Sequence, residues 1–158
     1  MRLLTSTLVE VEVRPAAPLM PSVLRELDVE ARASGIQNVS VLIDRWVGGS
    51  ERFDGTGESL LVAVDPALNC VVGVGGLSRC PDVEGALRVR RFYVGEQWRR
   101  RGIARTLARQ LVTDGLRHTN VLTCNAGASD AAAPFWEAMG FEPVDAPGIT
   151  HWLTDEAT

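Results

Sequence analysis

The stretch that decides the fold runs Leu87-Arg88-Val89-Arg90-Arg91-Phe92-Tyr93-Val94, then Gly95-Glu96-Gln97-Trp98, then Arg99-Arg100-Arg101-Gly102-Ile103-Ala104-Arg105. The first block reads as a strand and the second as a short connection. After it, Ile103, Leu107 and Leu111 join Ala104 and Ala108 on one face of a strongly periodic helix. Arg99, Arg100, Arg101 and Gly102 are therefore expected in the first turn of that helix. Positive charge there costs a few tenths to about 1 kcal/mol per residue, because the helix dipole is already positive at its N-terminus. Such a placement makes sense if an anion normally sits there. Free backbone N–H groups, a small Gly102 and flanking guanidiniums together read as a phosphate cradle; otherwise the segment is a solvated basic turn.

Charge over the whole chain supports a localised anion. All 16 basic residues are arginine, and the chain has no lysine. Eight arginines lie between Arg88 and Arg109, where Glu96 is the only acid, a net +7; elsewhere eight arginines face 19 acids, a net −11. One basic segment in an otherwise acidic protein suits a small anionic ligand and argues against a nucleic acid, which the remaining charge would repel.

Upstream, Val9, Val11 and Val13 alternate with Glu10, Glu12 and Arg14, the period of a half-buried strand that Pro15, Pro18 and Pro21 end. A helix is expected from about Pro21 to before Gly35, and a second from Asn38 to Val47. Gly48 to Gly57 reads as a polar loop. Ser59–Val64 and Cys70–Leu77 read as a strand hairpin, followed by a loop over 78–86. Downstream, Val121–Asn125 is a short buried strand and Ser129–Met139 a helix closed by Gly140. A hairpin of Phe141–Val144 and Ile149–Leu153 completes the chain. The order β-α-α-β-β-β-α-β-α-β-β predicts an α/β fold, a mixed and mostly antiparallel sheet with helices on both faces.

At 158 residues, 46% apolar and 23% charged, the chain has the size and composition of one globular domain, and a single domain over 1–158 is expected. Its most apolar segment, Ser59–Leu77, is interrupted by Asp65, Pro66 and Asn69, so no membrane span is expected, and no signal-peptide core follows Met1. A cytoplasmic protein is the expectation. Cys70, Cys80 and Cys124 have neither paired spacing nor neighbouring histidines, so neither a disulfide framework nor a metal site is expected.

Arg99-x-x-Gly102-x-Ala104 resembles the [Arg/Gln]-x-x-Gly-x-[Gly/Ala] motif of the GNAT superfamily of N-acetyltransferases. The resemblance extends to Arg90–Val94 as that family's fourth strand, and to Ala132-Ala133-Pro134-Phe135-Trp136-Glu137-Ala138-Met139-Gly140-Phe141 as its later helix motif. Val13-Arg14-Pro15-Ala16 is similar to its first strand, so the likeness covers nearly the whole chain. It implies an acyltransferase that moves an acetyl group from acetyl-coenzyme A directly to a primary amine of a small molecule or peptide, without a metal. Dimers are common in the family. Two splayed strands, Leu87–Val94 and Val121–Asn125, would hold the pantetheine arm. Main-chain groups of Phe92 and Val94, with Tyr93 between them, would meet its amides, and the N–H of Val94 would donate to the thioester oxygen. Amides of Arg100, Arg101, Gly102, Ile103, Ala104 and Arg105, with guanidiniums including Arg99, would take the pyrophosphate. Phe135 would wall the thioester end. Asn125 would either contact the coenzyme or serve a turn.

Two departures from the family pattern stand out. Trp136 occupies the place of a tyrosine used as general acid, and Arg88 and Arg90 stand where a strand glutamate is common. Glu84, in the preceding loop, is the candidate base, with His151 as a second. The missing tyrosine and glutamate motivate a rival reading, a non-catalytic acyl-coenzyme A binding or sensing module. On the acceptor side, Glu51, Asp54 and Glu58 suggest a cationic amine.

Overall fold

The computed structural model describes residues 10–127 and 129–155. Seven strands form one mixed sheet in the order β1-β2-β3-β4-β5-β7-β6. They are β1 (Glu12–Pro15), β2 (Ser59–Asp65), β3 (Cys70–Arg79), β4 (Leu87–Val94), β5 (Val121–Cys124), β6 (Glu142–Ala146) and β7 (Ile149–Thr154). The helices are α1 (Arg25–Ala33), α2 (Asn38–Gly48), α3 (Ile103–Gly115) and α4 (Ala132–Ala138). The element order is the expected one. The chain divides into two compact units, Met1–Arg52 with Leu60–Gly75 and Arg91–Leu107, and Phe53–Ser59 with Gly76–Arg90 and Ala108–Thr158; β3 and β4 lend residues to both.

In the first unit, β1 pairs antiparallel with β2, Val13 opposite Ala63. Val11 precedes the strand, and Val9 lies outside the described residues. The helix expected from Pro21 begins at Arg25; two short 3-10 turns, Ala17–Leu19 and Ser22–Leu24, take up the segment before it. α1 buries Leu27 and Ala31, and α2 buries Val39 and Leu42. Successive residues of β4 point to opposite faces. The Tyr93 hydroxyl reaches Glu30 of α1, and Val94 joins a core cluster with Ala63, Val72 and Ile103 of α3, so helices cover both faces here.

In the second unit, β4 and β5 are parallel, with Leu87 opposite Leu122 and Arg88 opposite Thr123. β5 pairs antiparallel with β7, and β7 with β6 through an irregular register between Pro143 and Ala146. Cys80, Ala86 and Ile149 form the centre of a second core cluster with Val121, Val144 and Trp152 around it. α4 is shorter than expected. It ends in a Schellman motif: Gly140 N–H donates to Glu137 O at 3.0 Å and Phe141 N–H to Trp136 O at 3.0 Å, with Gly140 at φ +104° just past the cap Met139.

Candidate active site

The candidate cradle lies within the first unit. Beyond Val94 the chain makes a 3-10 turn over Glu96–Trp98, then a turn over 99–102, and enters α3 at Ile103. Arg99–Gly102 thus precede the helix instead of filling its first turn. The physical reason is backbone handedness: Arg100 stands at φ +65° and Gly102 at φ +83°, both left-handed and incompatible with α-helix. Arg99 before them is extended, at φ −74° and ψ 157°, so the chain turns sharply into the helix start. The first helical bond is donated by Thr106 N–H to Gly102 O at 3.0 Å, and Thr106 Oγ1 donates to the same oxygen at 2.9 Å. The amides of Ile103, Ala104 and Arg105 precede it and have no intrahelical acceptor.

The cationic side chains divide by role. Arg99 Nε donates to Val94 O at 2.9 Å and its guanidinium lies 5.3 Å from the centre of the Tyr93 ring, so Arg99 braces the strand end. Arg101 stacks on Trp98 at 5.4 Å. Arg100 and Arg105 are exposed, with no partner among the described residues. They are the guanidiniums best placed to meet a phosphate.

β4 reaches this turn through a kink. Arg91 sits at φ +56° inside the strand, where a non-glycine residue costs about 1–2 kcal/mol. Its side chain is clamped. Nη2 and Nε donate to the two oxygens of buried Glu51 at 2.7 and 3.1 Å, and Nη1 donates to Asn38 Oδ1 at 3.4 Å. Asn38 Nδ2 in turn donates to Phe92 O at 3.3 Å, tying the start of α2 to the residue after the kink. Glu51 also takes Arg45 at 3.2 Å. Beyond the kink, Glu30 Oε2 accepts from the Tyr93 hydroxyl at 3.1 Å and from Glu96 N–H at 2.6 Å. Burial, then the hydrogen bond to Glu30, pushes the Tyr93 phenol above its ordinary range. Glu30 and Asn38 carried no motif, and Glu51, read as an acid facing the acceptor, instead holds Arg91. Arg91 left a signal: it occupies a place where the Leu87, Val89 alternation calls for an apolar residue, and three apolar or aromatic residues follow it.

The Glu51 carboxylate is thus committed to arginines. Glu58, in the second unit, accepts N–H groups of Gly55 and Arg79 at 3.0 and 2.7 Å. The expected cationic-amine pocket loses two of its three acids to internal bonds, and only Asp54 stays exposed and uncommitted.

The other candidates lie in the second unit. Glu84 is exposed in the turn between β3 and β4. Asn125 Oδ1 accepts from Gly127 N–H at 3.0 Å and Nδ2 donates to Gly148 O at 3.4 Å, a turn-fixing role. Phe135 meets Trp136 edge-to-face at 4.9 Å, and buried Trp136 meets Phe141 at 5.3 Å. His151 is buried, with Nε2 2.8 Å from Glu137 Oε2 and Nδ1 2.8 Å from Thr150 Oγ1. Cys124 is buried, and burial pushes its thiol up to about 12. Among the described residues no group of three or more His, Cys, Asp or Glu could hold a metal, and no helix is long and apolar enough to cross a membrane. A cavity of about 420 Å³ on the segment before α1, lined by Pro18, Leu19, Met20, Ser22 and Val23, contains none of the candidate residues.

Residues 43–155, well over half of the chain, match the family described as acetyltransferase (GNAT) domain. The chain belongs to this family of acyl-transferring domains. Three solved structures share the fold. A candidate acetyltransferase from Exiguobacterium sp. 255-15 has a TM-score of 0.81 at 23% identity, covering 92% of this chain and 94% of its own. A protein from Pyrococcus horikoshii OT3 has 0.72 at 16%, covering 93% and 99%. Ard1 from Thermoplasma volcanium has 0.69 at 17%, covering 93% and 99%. No curated protein sequence matches the chain.

Proposed function

We propose that residues 1–158 act as one N-acetyltransferase domain that moves an acetyl group from acetyl-coenzyme A to a primary amine of a small molecule or peptide. The observation that carries this reading is the turn over 99–105. Left-handed Arg100 and Gly102, unbonded amides at the start of α3, and two unpartnered guanidiniums make a donor set with no internal acceptor. Pyrophosphate fits that chemistry, being anionic and rich in acceptors.

Bound acetyl-coenzyme A supplies an activated acetyl thioester. The amides of Arg100–Arg105 hold its pyrophosphate, with Arg100 and Arg105 adding charge. Arg99 and Tyr93 act by fixing the end of β4. Main-chain groups of Phe92 and Val94 meet the pantetheine amides. The Val94 N–H donates to the thioester oxygen as negative charge develops there. Asn125 and Phe135 border the coenzyme. The incoming amine is mostly protonated at neutral pH and must lose its proton before attack; Glu84, the candidate acceptor, stands in the turn before β4 while Val94 ends that strand, so the proton reaches it only through water. Trp136 has no acidic proton to offer a leaving thiolate, and a thiolate of ordinary pKa near 8.5 can leave to water. The domain is expected to work in the cytoplasm, as a monomer or a homodimer, without nucleic acid.

One observation favours a second reading, a non-catalytic acyl-coenzyme A sensor: the place of a tyrosine acid is filled by a buried, ring-packed tryptophan. Titration calorimetry with acetyl-coenzyme A and free coenzyme A, followed by thiol release in the presence of amines, separates the two. Binding with release supports transfer. Binding without release from any amine supports the sensor. No binding at millimolar ligand overturns both.

A further inference from the structure

The bend of β4 is held from outside the strand. Arg91, at φ +56°, immediately precedes Phe92–Val94, the stretch whose main-chain groups face the thioester end of the coenzyme on the transfer reading. The side chains of Arg91 and Glu51 are only 14% and 7% exposed, and they meet through Nη2 at 2.7 Å and Nε at 3.1 Å. Glu51 is itself fixed: its N–H donates to Arg45 O at 3.2 Å, and its Oε1 accepts from Arg45 Nη1 at 3.2 Å. Asn38, the first residue of α2, bonds both the Arg91 guanidinium and Phe92 O. The start of α2 and the segment just past its end therefore both bear on the bend. Beyond it, Val94 O accepts from Arg99 Nε, and Gly95 N–H donates to Val72 O at 2.8 Å. Gly73 of β3 lies so close that a Cβ there would stand 3.3 Å from Tyr93 O. All these residues belong to the first unit. A left-handed arginine and a desolvated ion pair are each less favourable than a straight strand with an apolar side chain at 91. Strain that its surroundings over-determine in this way points to function.

We infer that Glu51 and Arg91 are positioning residues for acyl transfer: their ion pair fixes the direction in which the main-chain groups of Phe92 and Val94 point. The inference rests on the transfer reading above. Turning one peptide of a strand re-aims the N–H groups that follow it, and a donor to a developing oxyanion is effective only when already aimed. Both Glu51 oxygens are engaged by arginines, so its role is exerted through Arg91 and not on the acceptor amine.

Thiol release by the full chain, with an amine that the wild type acetylates, tests this. Glu51→Gln is expected to lower kcat by about tenfold or more while the amine KM stays near its wild-type value. Affinity for ADP, which carries a pyrophosphate without a pantetheine arm, is expected to be unchanged by calorimetry. A rise confined to the amine KM would make Glu51 an acceptor ligand, and an equal loss of ADP affinity would make the effect one of the whole domain. Either result overturns the proposal, as does an unchanged kcat. The double variant Glu51→Ala/Arg91→Gly separates positioning from stability. Glycine tolerates the left-handed bend without fixing it, so kcat is expected to stay low even where the urea midpoint recovers. A kcat that returns to the wild-type value with the midpoint overturns the proposal. Absence of thiol release with every amine defeats the transfer reading, and a second measurement then decides the clamp. Backbone amide resonances of Phe92, Tyr93 and Val94 are expected to shift in Glu51→Gln while those of Ile103, Ala104 and Arg105 stay in place. Unmoved resonances at 92–94 overturn the clamp whether or not any amine is acetylated.

Discussion

Gly102, at φ +83°, is the residue on which the cradle turns. Valine there is β-branched and strained in the left-handed region, and its side chain occupies the space a phosphate would approach. Gly102→Val is expected to weaken acetyl-coenzyme A binding by about tenfold or more, read by titration calorimetry. Arg91 poses the complementary case, a left-handed residue that is not glycine and is held by Glu51. Removing one partner of a buried ion pair costs about 3–5 kcal/mol, so Glu51→Ala is expected to lower stability by an amount of that order in urea unfolding. Adding Arg91→Gly should recover much of the loss, because glycine adopts φ +56° without strain and leaves no unpaired charge. A double variant no more stable than Glu51→Ala would show that the clamp does not maintain the kink.

Among the elements, the helices and hairpins were legible because their apolar spacing is regular: Ile103, Leu107 and Leu111 in α3, and the apolar runs of β2 and β3. The start of α3 was not, since only the backbone shows that Arg100 is left-handed. The same limit hid the use of Glu51 and Glu58, as no local pattern tells a solvated acid from one bonded across long sequence separation. The basic turn was legible as a cluster of charge before a helix; the clamp behind it depends on tertiary pairing. The Schellman end of α4 was legible from Gly140 alone. There Gly140→Ala places a Cβ 3.3 Å from Leu153 Cδ1 at φ +104°, and is expected to cost about 1–2 kcal/mol in chemical denaturation.

Across the whole molecule, charge and burial set the response to solution conditions. A +7 segment in a chain of net −4 draws anions by a field that salt screens over about 10 Å at 0.1 M and about 3 Å at 1 M. Acetyl-coenzyme A affinity is therefore expected to fall steadily as sodium chloride is raised, and a flat response would remove the electrostatic part of the cradle. Alkali acts through the core. Burial pushes the Cys124 thiol up from an ordinary 9.0 to about 12, so the folded state holds its proton more tightly. The stability this contributes is present below 9.0 and lost as pH rises from there toward 12, and Cys124→Ala should flatten that part of the urea-midpoint profile.

The cationic turn has one more consequence. Every side chain that gives it positive charge is a guanidinium, and no lysine occurs anywhere in the sequence. Guanidinium stays protonated across the working pH range and is a poor nucleophile. On the proposed reading, an acetyl thioester held beside these arginines meets no ammonium side chain of the domain's own. No side chain offers the reagent an amine, so prolonged incubation with acetyl-coenzyme A should produce no N-acetylated side chain on peptide mass mapping.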